Sequence, residues 1–168
     1  MMRPFFAAAA LGGVVSCSSS SFSGPPPNVA GDYSVDVTDG SNGCQFANWT
    51  QGSTATGIPV TVTQNATSVG VTVDGLVGSL LKLGIGTNVF TGSLSGDRAT
   101  MTAAGSVAGT QGNCAYTTNA TIDATFNGDT MQGTLTYTRM TNGNPDCAGI
   151  TGCQTIQQFS GARPPSSE

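Results

Sequence analysis

Histidine is missing from this sequence, and glutamate and lysine occur once each, as Glu168 and Lys82. Without histidine the chain lacks the commonest general base and the commonest metal ligand. Charged side chains make up 8% of the 168 residues, where about 25% is usual. The basic residues Arg3, Lys82, Arg98, Arg139 and Arg163 are scattered. They form no patch that would neutralise phosphates, so nucleic acid is not expected as a partner. There is no Gly-x-Ser-x-Gly elbow, and a serine nucleophile would have no histidine to activate it. Paired-carboxylate chemistry needs two acids aimed at one point. Here Asp97 and Asp129 fall at turn tips and Asp123 on a solvent face. The stretch from Asp36 to Gly43 is rich in oxygen ligands, but its spacing is not that of a calcium loop and no glutamate closes it. A strand end and a Gly-rich turn account for it. The expectation is a non-enzyme with no metal and no cofactor.

What the sequence does contain begins with an address. Met1-Met2-Arg3 places a positive charge ahead of the apolar run Phe5–Val15. That run is too short for a bilayer, which takes about 20 residues, and suits the core of a signal peptide. It ends in Val14-Val15-Ser16-Cys17, which resembles the lipobox of bacterial lipoproteins. The resemblance covers the leader alone. It implies cleavage before Cys17, lipidation of the Cys17 thiol and acylation of the new amino terminus. Several acyl chains hold firmly, because each buried CH₂ contributes about 0.8 kcal/mol. In the enterobacterial version of this class an Asp directly after the cysteine retains the protein at the inner membrane, and by that rule Ser18 implies the outer membrane of the cell envelope. Ser18–Ser23 and Gly24-Pro25-Pro26-Pro27 then form a polar, proline-rich tether. An ordinary secretory signal with an incidental cysteine would leave that tether unexplained. The organisation is a signal peptide over 1–16, a lipidated Ser/Pro-rich tether over 17–29, a β-domain over 30–163 and a tail over 164–168.

From Ala30 onward apolar and polar residues alternate with period two, and turn signals separate the runs. The clearest hairpin runs from Ala120 to Tyr137 with Gly128-Asp129 at its tip. That tip sets Phe126 against Met131, Ala124 against Gly133, Ile122 against Leu135 and Ala120 against Tyr137. All of these are apolar or small, and the opposite face is Thr-rich. Around Gly96-Asp97 the same device aligns Leu94 with Ala99, Gly92 with Met101 and Phe90 with Ala103. A looser hairpin joins Val60, Val62 and Gln64 to Val69, Val71 and Val73. A first strand over Gly31–Thr38 and a last over Gln154–Gly161 complete eight. The tight turns Asn65–Ser68, Ser95–Arg98 and Asn127–Thr130 share one end. The longer connections, Asp39–Gly57, Asp74–Gly86, Ala108–Asn113 and Asn142–Gly152, share the other.

The fold predicted is all-β, an eight-stranded antiparallel up-and-down barrel, with an open β-sandwich as the alternative. It resembles the lipocalin and streptavidin class of small barrels. Gly31-Asp32-Tyr33 is similar to the Gly-x-Trp that opens lipocalins, with Tyr in place of Trp, and no lipocalin residues are carried across. Four cysteines remain beside Cys17: Cys44, Cys114, Cys147 and Cys153. An even number in an exported chain implies two disulfides. The short segment between Cys147 and Cys153 favours that pair, and Cys44–Cys114 follows by elimination. Pairings that join Cys114 to Cys147 or to Cys153 remain open.

At the long-loop end, Leu76–Ile85 is strongly apolar for a connection, and reads as a loop or short helix that plugs or rims the barrel. Phe46 and Trp49 share that end, so Phe46, Trp49, Leu80, Leu81 and Arg139 are the candidate ligand mouth. Arg139 continues the inward parity of Leu135 and Tyr137, and its guanidinium calls for an anionic or carbonyl partner. Two functions fit. The barrel takes up a small apolar ligand, with the small inward residues Gly92, Ala99, Ala120, Ala124 and Gly133 leaving room. Alternatively the core is filled and the protein is a structural or protein-interaction lipoprotein, an envelope subunit or an inhibitor-like barrel. A connected cavity under Leu80 and Trp49 separates them. In either case Cys17→Ala is expected to abolish membrane association and processing at the Ser16–Cys17 bond, as read by cell fractionation and mass spectrometry. Unchanged fractionation with cleavage at the same bond would contradict the lipoprotein reading.

Overall fold

The computed structural model describes Pro25 to Pro165. The leader, the Val14–Cys17 motif, most of the 17–29 tether and Ser166–Glu168 lie outside the described residues. The strands are β1 (Gly31–Asn42), β2 (Thr54–Asn65), β3 (Ser68–Val73), β4 (Val89–Ser95), β5 (Arg98–Ala103), a short β6 (Gly109–Gln111), β7 (Cys114–Asn127), β8 (Thr130–Thr141) and β9 (Gln154–Ala162). Helix α1 (Gly75–Gly84) lies between β3 and β4, and a single 3-10 turn (Pro145–Cys147) lies between β8 and β9.

Eight strands close a ring in which every neighbouring pair is antiparallel. The order runs β1-β2-β3-β4-β5-β7-β8-β9 and returns to β1. β6 pairs only with the start of β7 and stands outside the ring. Closure gives each of the eight ring strands a neighbour on both sides. The register of the β7–β8 hairpin is the one alternation dictates: Phe126↔Met131, Ala124↔Gly133, Ile122↔Leu135 and Ala120↔Tyr137. β4 and β5 pair Leu94 with Ala99 and Gly92 with Met101, and β2 and β3 pair Val62 with Val71. Phe90 and Ala103 are both buried, just beyond the last paired residues of their hairpin.

The ends differ as the turn lengths require. At the closed end Val29 is buried as a floor. Its N–H donates to Gln64 Oε1 at 2.8 Å, and the Tyr33 hydroxyl donates to its carbonyl at 3.0 Å. The barrel therefore begins one residue before Ala30. Arg163 clamps this end. Its Nε meets Asp129 Oδ1 at 2.9 Å, Nη2 donates to the Asn28 carbonyl at 3.0 Å, and Nη1 donates to the Ala30 carbonyl.

At the other end two expectations are revised and one open choice is decided. β1 continues to Asn42 instead of stopping at Thr38, because β9 pairs alongside it as far as Asn42↔Thr155. Of the two readings of the apolar connection after β3, the short helix is the one adopted. Three glycines at 75, 78 and 84 obscure it in the sequence, since glycine is a poor helix former. The disulfides are Cys44–Cys153 and Cys114–Cys147, not Cys147–Cys153 with Cys44–Cys114. The reason lies in strand adjacency. Gly43 N–H bonds the Gln154 carbonyl at 2.9 Å across β1 and β9, which brings Cys44 beside Cys153. Cys114 opens β7, and the Pro145–Cys147 turn folds back onto it, with Asp146 Oδ2 accepting from Asn113 N at 3.0 Å. The sequence separations are 109 and 33 residues. On the loop-entropy model such loops correspond to about 5 and about 4 kcal/mol, each comparable to the net stability of a small domain.

All three tight turns place their first tip residue in the left-handed region: Ala66 (φ 54°), Gly96 (φ 61°) and Gly128 (φ 58°). Glycine does so freely, whereas alanine pays for its Cβ. Ala66→Gly is therefore expected to stabilise the protein by about 1 kcal/mol, read as a higher urea midpoint. A lower midpoint would contradict the assigned turn geometry.

Candidate functional site

Parity puts a valine-rich face inside the ring. Val35 and Val37 on β1, Val60 on β2, Val71 and Val73 on β3 and Leu135 on β8 all point inward. Eight strands give an interior that side chains can just fill, or that holds one small ligand when they do not fill it. Here the floor is filled, with Tyr33 meeting Phe126 edge-on at 6.3 Å between ring centroids. Above it lies a cavity of about 600 Å³, bounded below by Phe126 and Met131 and above by Trp49 and Leu80. That volume falls within the range of about 300–1,000 Å³ typical of small-molecule sites.

The roof consists of helix α1 and the loop over residues 43–53. Leu81 is buried under the helix, while Leu80 lines the cavity and is also 57% exposed, at the rim. Disulfide Cys44–Cys153 fixes the root of the loop. Phe46 N–H donates to Asn42 Oδ1 at 2.8 Å, and Trp49 Nε1 donates to the Gly40 carbonyl at 3.0 Å. The Phe46 ring lies 6.1 Å from Trp49 and 5.6 Å from Tyr137, so the three aromatics form one wall of the mouth.

Four of the five expected mouth residues, Phe46, Trp49, Leu80 and Leu81, thus line one cavity. Arg139 does not line it. It pairs across strands with Thr118, as parity requires, but its guanidinium stacks behind the wall. Its Cζ lies 5.2 Å from the Phe46 centroid and 4.5 Å from that of Tyr116. The expected anionic or carbonyl partner is replaced by aromatic faces, each such contact contributing about 0.5–2 kcal/mol. Arg139 Nε is buried without a hydrogen-bond partner among the described residues.

The small inward residues also behave differently from expectation. Only Ala124 of that set borders the cavity. A Cβ on Gly92 would come within 1.9 Å of the Thr100 carbonyl, and one on Gly133 within 2.0 Å of the Asp123 carbonyl. These glycines let neighbouring backbones approach and bend, and the space they vacate is already occupied. The room comes instead from valines where larger side chains would meet across the barrel.

One polar group in the wall is absent from the expected set. Asp39, Gln157 and Tyr137 face inward on β1, β9 and β8. The Tyr137 hydroxyl donates to Gln157 Oε1 at 3.1 Å, and Gln157 Nε2 donates to Asp39 Oδ1 at 2.7 Å. Asp39 continues the alternation of Val35 and Val37, and that parity was the signal available in the sequence. Burial pushes the Tyr137 hydroxyl well above the ordinary tyrosine value, and the nearby Asp39 charge pushes it in the same direction. No family model, curated protein or solved structure gives a significant match to the chain.

The sign of the Tyr137 shift fixes a pH dependence. The fold holds the neutral hydroxyl, so its contribution is complete below the unfolded value of 10.0 and is lost as pH rises through the higher folded value. Unfolding free energy is expected to fall from about pH 10 upward, and Tyr137→Phe to make that fall shallower. Tyr33, raised mainly by burial, supplies part of the slope that remains. At neutral pH Tyr137→Phe is expected to lose about 1 kcal/mol with its hydrogen bond. Urea unfolding across the pH range checks both, and an unchanged slope would contradict the placement of Tyr137.

Proposed function

We propose that this protein is an envelope-anchored binding protein, not an enzyme, whose barrel takes up a small, largely apolar molecule. The observation that carries the reading is the cavity of about 600 Å³ beneath Trp49 and Leu80. An unfilled apolar interior forfeits packing that a filled core would have, at a penalty that rises with the empty volume. Occupation by an apolar guest removes that penalty. The cavity favours this reading over a filled barrel used only as a contact surface. Leu76, 76% exposed, and Leu83, 74% exposed, flank the roof on helix α1 and form an apolar approach to the mouth.

The anchoring half of the proposal rests on the lipobox-like run ending at Cys17. Chain entry supports an arrangement for it. β1 starts at Gly31 at the closed end, opposite the roof. A tether from Cys17 to that point spans at most about 45 Å and joins the barrel at the end away from the mouth.

The test is titration of the purified protein with N-phenylnaphthylamine, a neutral apolar fluorophore. One molecule per barrel is expected to bind. Val71→Phe and Ala124→Leu, which fill the cavity from two sides, are each expected to weaken binding about tenfold or more while the protein remains folded. Using both keeps the test valid where one variant overpacks. Binding that neither folded variant alters would place the probe elsewhere and overturn the reading.

A further inference from the structure

The cavity carries a mark of the polar end of its guest. Among the described residues that line it, Asp39 alone is charged. No basic side chain answers it there. Arg163 is committed to the floor, Arg98 sits in a tight turn at the closed end, Arg139 stacks behind Phe46, and Lys82 is exposed on α1. Asp39 is held rigidly, because the Tyr137 hydroxyl fixes Gln157 and Gln157 fixes Asp39 Oδ1. The only proton of the Tyr137 hydroxyl is spent on Gln157. What the wall leaves open is Asp39 Oδ2, a lone pair on Tyr137 and the second Nε2 proton of Gln157. Two acceptors, one of them anionic, thus stand beside the Phe46 and Trp49 rings in a largely apolar chamber whose other polar lining, Gln157, Ser53, Thr54 and Thr118, is neutral.

We propose that the cavity selects amphiphiles whose polar end donates a hydrogen bond, a protonated amine above all and an alcohol next, and that Asp39 disfavours carboxylates. The inference rests on the binding reading above. In a largely apolar chamber a second anion beside Asp39 would be repelled with little screening. An ammonium gains both the carboxylate and the aromatic faces. A hydroxyl donates to Asp39 and accepts from Gln157, with no charge to desolvate.

Octylamine, octanol and octanoate share one tail and differ at the head. Trp49 is the single tryptophan and lines the cavity, so its fluorescence reports binding to the purified full chain directly. The expected order of affinity is octylamine, then octanol, then octanoate, with about tenfold or more between the first and the last. Asp39→Asn keeps an oxygen for Gln157 and is expected to bring amine and carboxylate within about threefold of each other. Asp123→Asn removes the same charge from the outer face and is expected to leave the order intact, which separates Asp39 from the net charge of −4. Octanoate binding as tightly as octylamine, or an order that Asp123→Asn alters as much as Asp39→Asn does, would overturn the head-group inference and leave the cavity reading standing. If none of the three alters Trp49 fluorescence or displaces bound N-phenylnaphthylamine, the head-group inference falls, while the cavity reading is decided by the N-phenylnaphthylamine titration and its two variants. Should Asp39→Asn fail to fold, the order in the unaltered protein and in Asp123→Asn decides.

Discussion

The ladder between β1 and β9, the first strand and the last, is the contact on which the rest of the structure depends. It joins Val35 to Gly161, Val37 to Phe159 and Asp39 to Gln157, and converts a meander into a ring. An open sheet of these strands would leave two edges exposed and one apolar face without a partner. Once the ring is closed, its diameter is set by strand number, and the side chains inside decide whether space remains. Alanines paired across β5 and β7 leave the interior uncrowded along that ladder. Valines over the upper half then leave the chamber, while Tyr33, Phe126 and Met131 fill the lower half.

A barrel that is packed at one end and hollow at the other needs different stabilisation at each. The floor is held by burial of Val29 and by the Arg163 clamp, which ties the start of β1, the end of β9 and the β7–β8 turn together. The hollow end has less apolar contact to offer, and both disulfides are found there. Each closes a long loop and so removes entropy from the unfolded chain without filling the chamber. Cys44–Cys153 also fixes the root of the loop that carries Phe46 and Trp49. The covalent link that stabilises the hollow end thereby positions the aromatic wall of the mouth.

The polar chain from Tyr137 through Gln157 to Asp39 follows from the same geometry. Three consecutive strands around the ring each present an inward polar residue, Asp39 directly opposite Gln157 and Tyr137 two residues along from Gln157's partner Leu135. None of the three would be tolerable there alone, since a buried polar group without a partner costs about 1–3 kcal/mol. Together they satisfy one another and leave acceptors turned toward the chamber. Arg139 shows the other solution, in which aromatic faces take the place of an acid or a carbonyl.

The amino-acid sequence by itself determined the strand faces, the hairpin registers and the division into a closed end and a loop-bearing end. Those features are local: period-two alternation and Gly-Asp tips act within a dozen or so contiguous residues. It also marked Phe46, Trp49, Leu80 and Leu81 as neighbours, because alternate connections in a meander must share an end. Helix α1 was legible only as a choice between loop and short helix, because three glycines weaken a ten-residue signal. The cysteine pairing, the aromatic partners of Arg139 and the wall around Asp39 were decided only by tertiary structure. Each depends on which strands meet when the ring closes, as β1 meets β9 and sets Cys44 beside a cysteine 109 residues away. No local pattern encodes such a meeting, since the residues involved come together only after the chain has travelled once around the barrel.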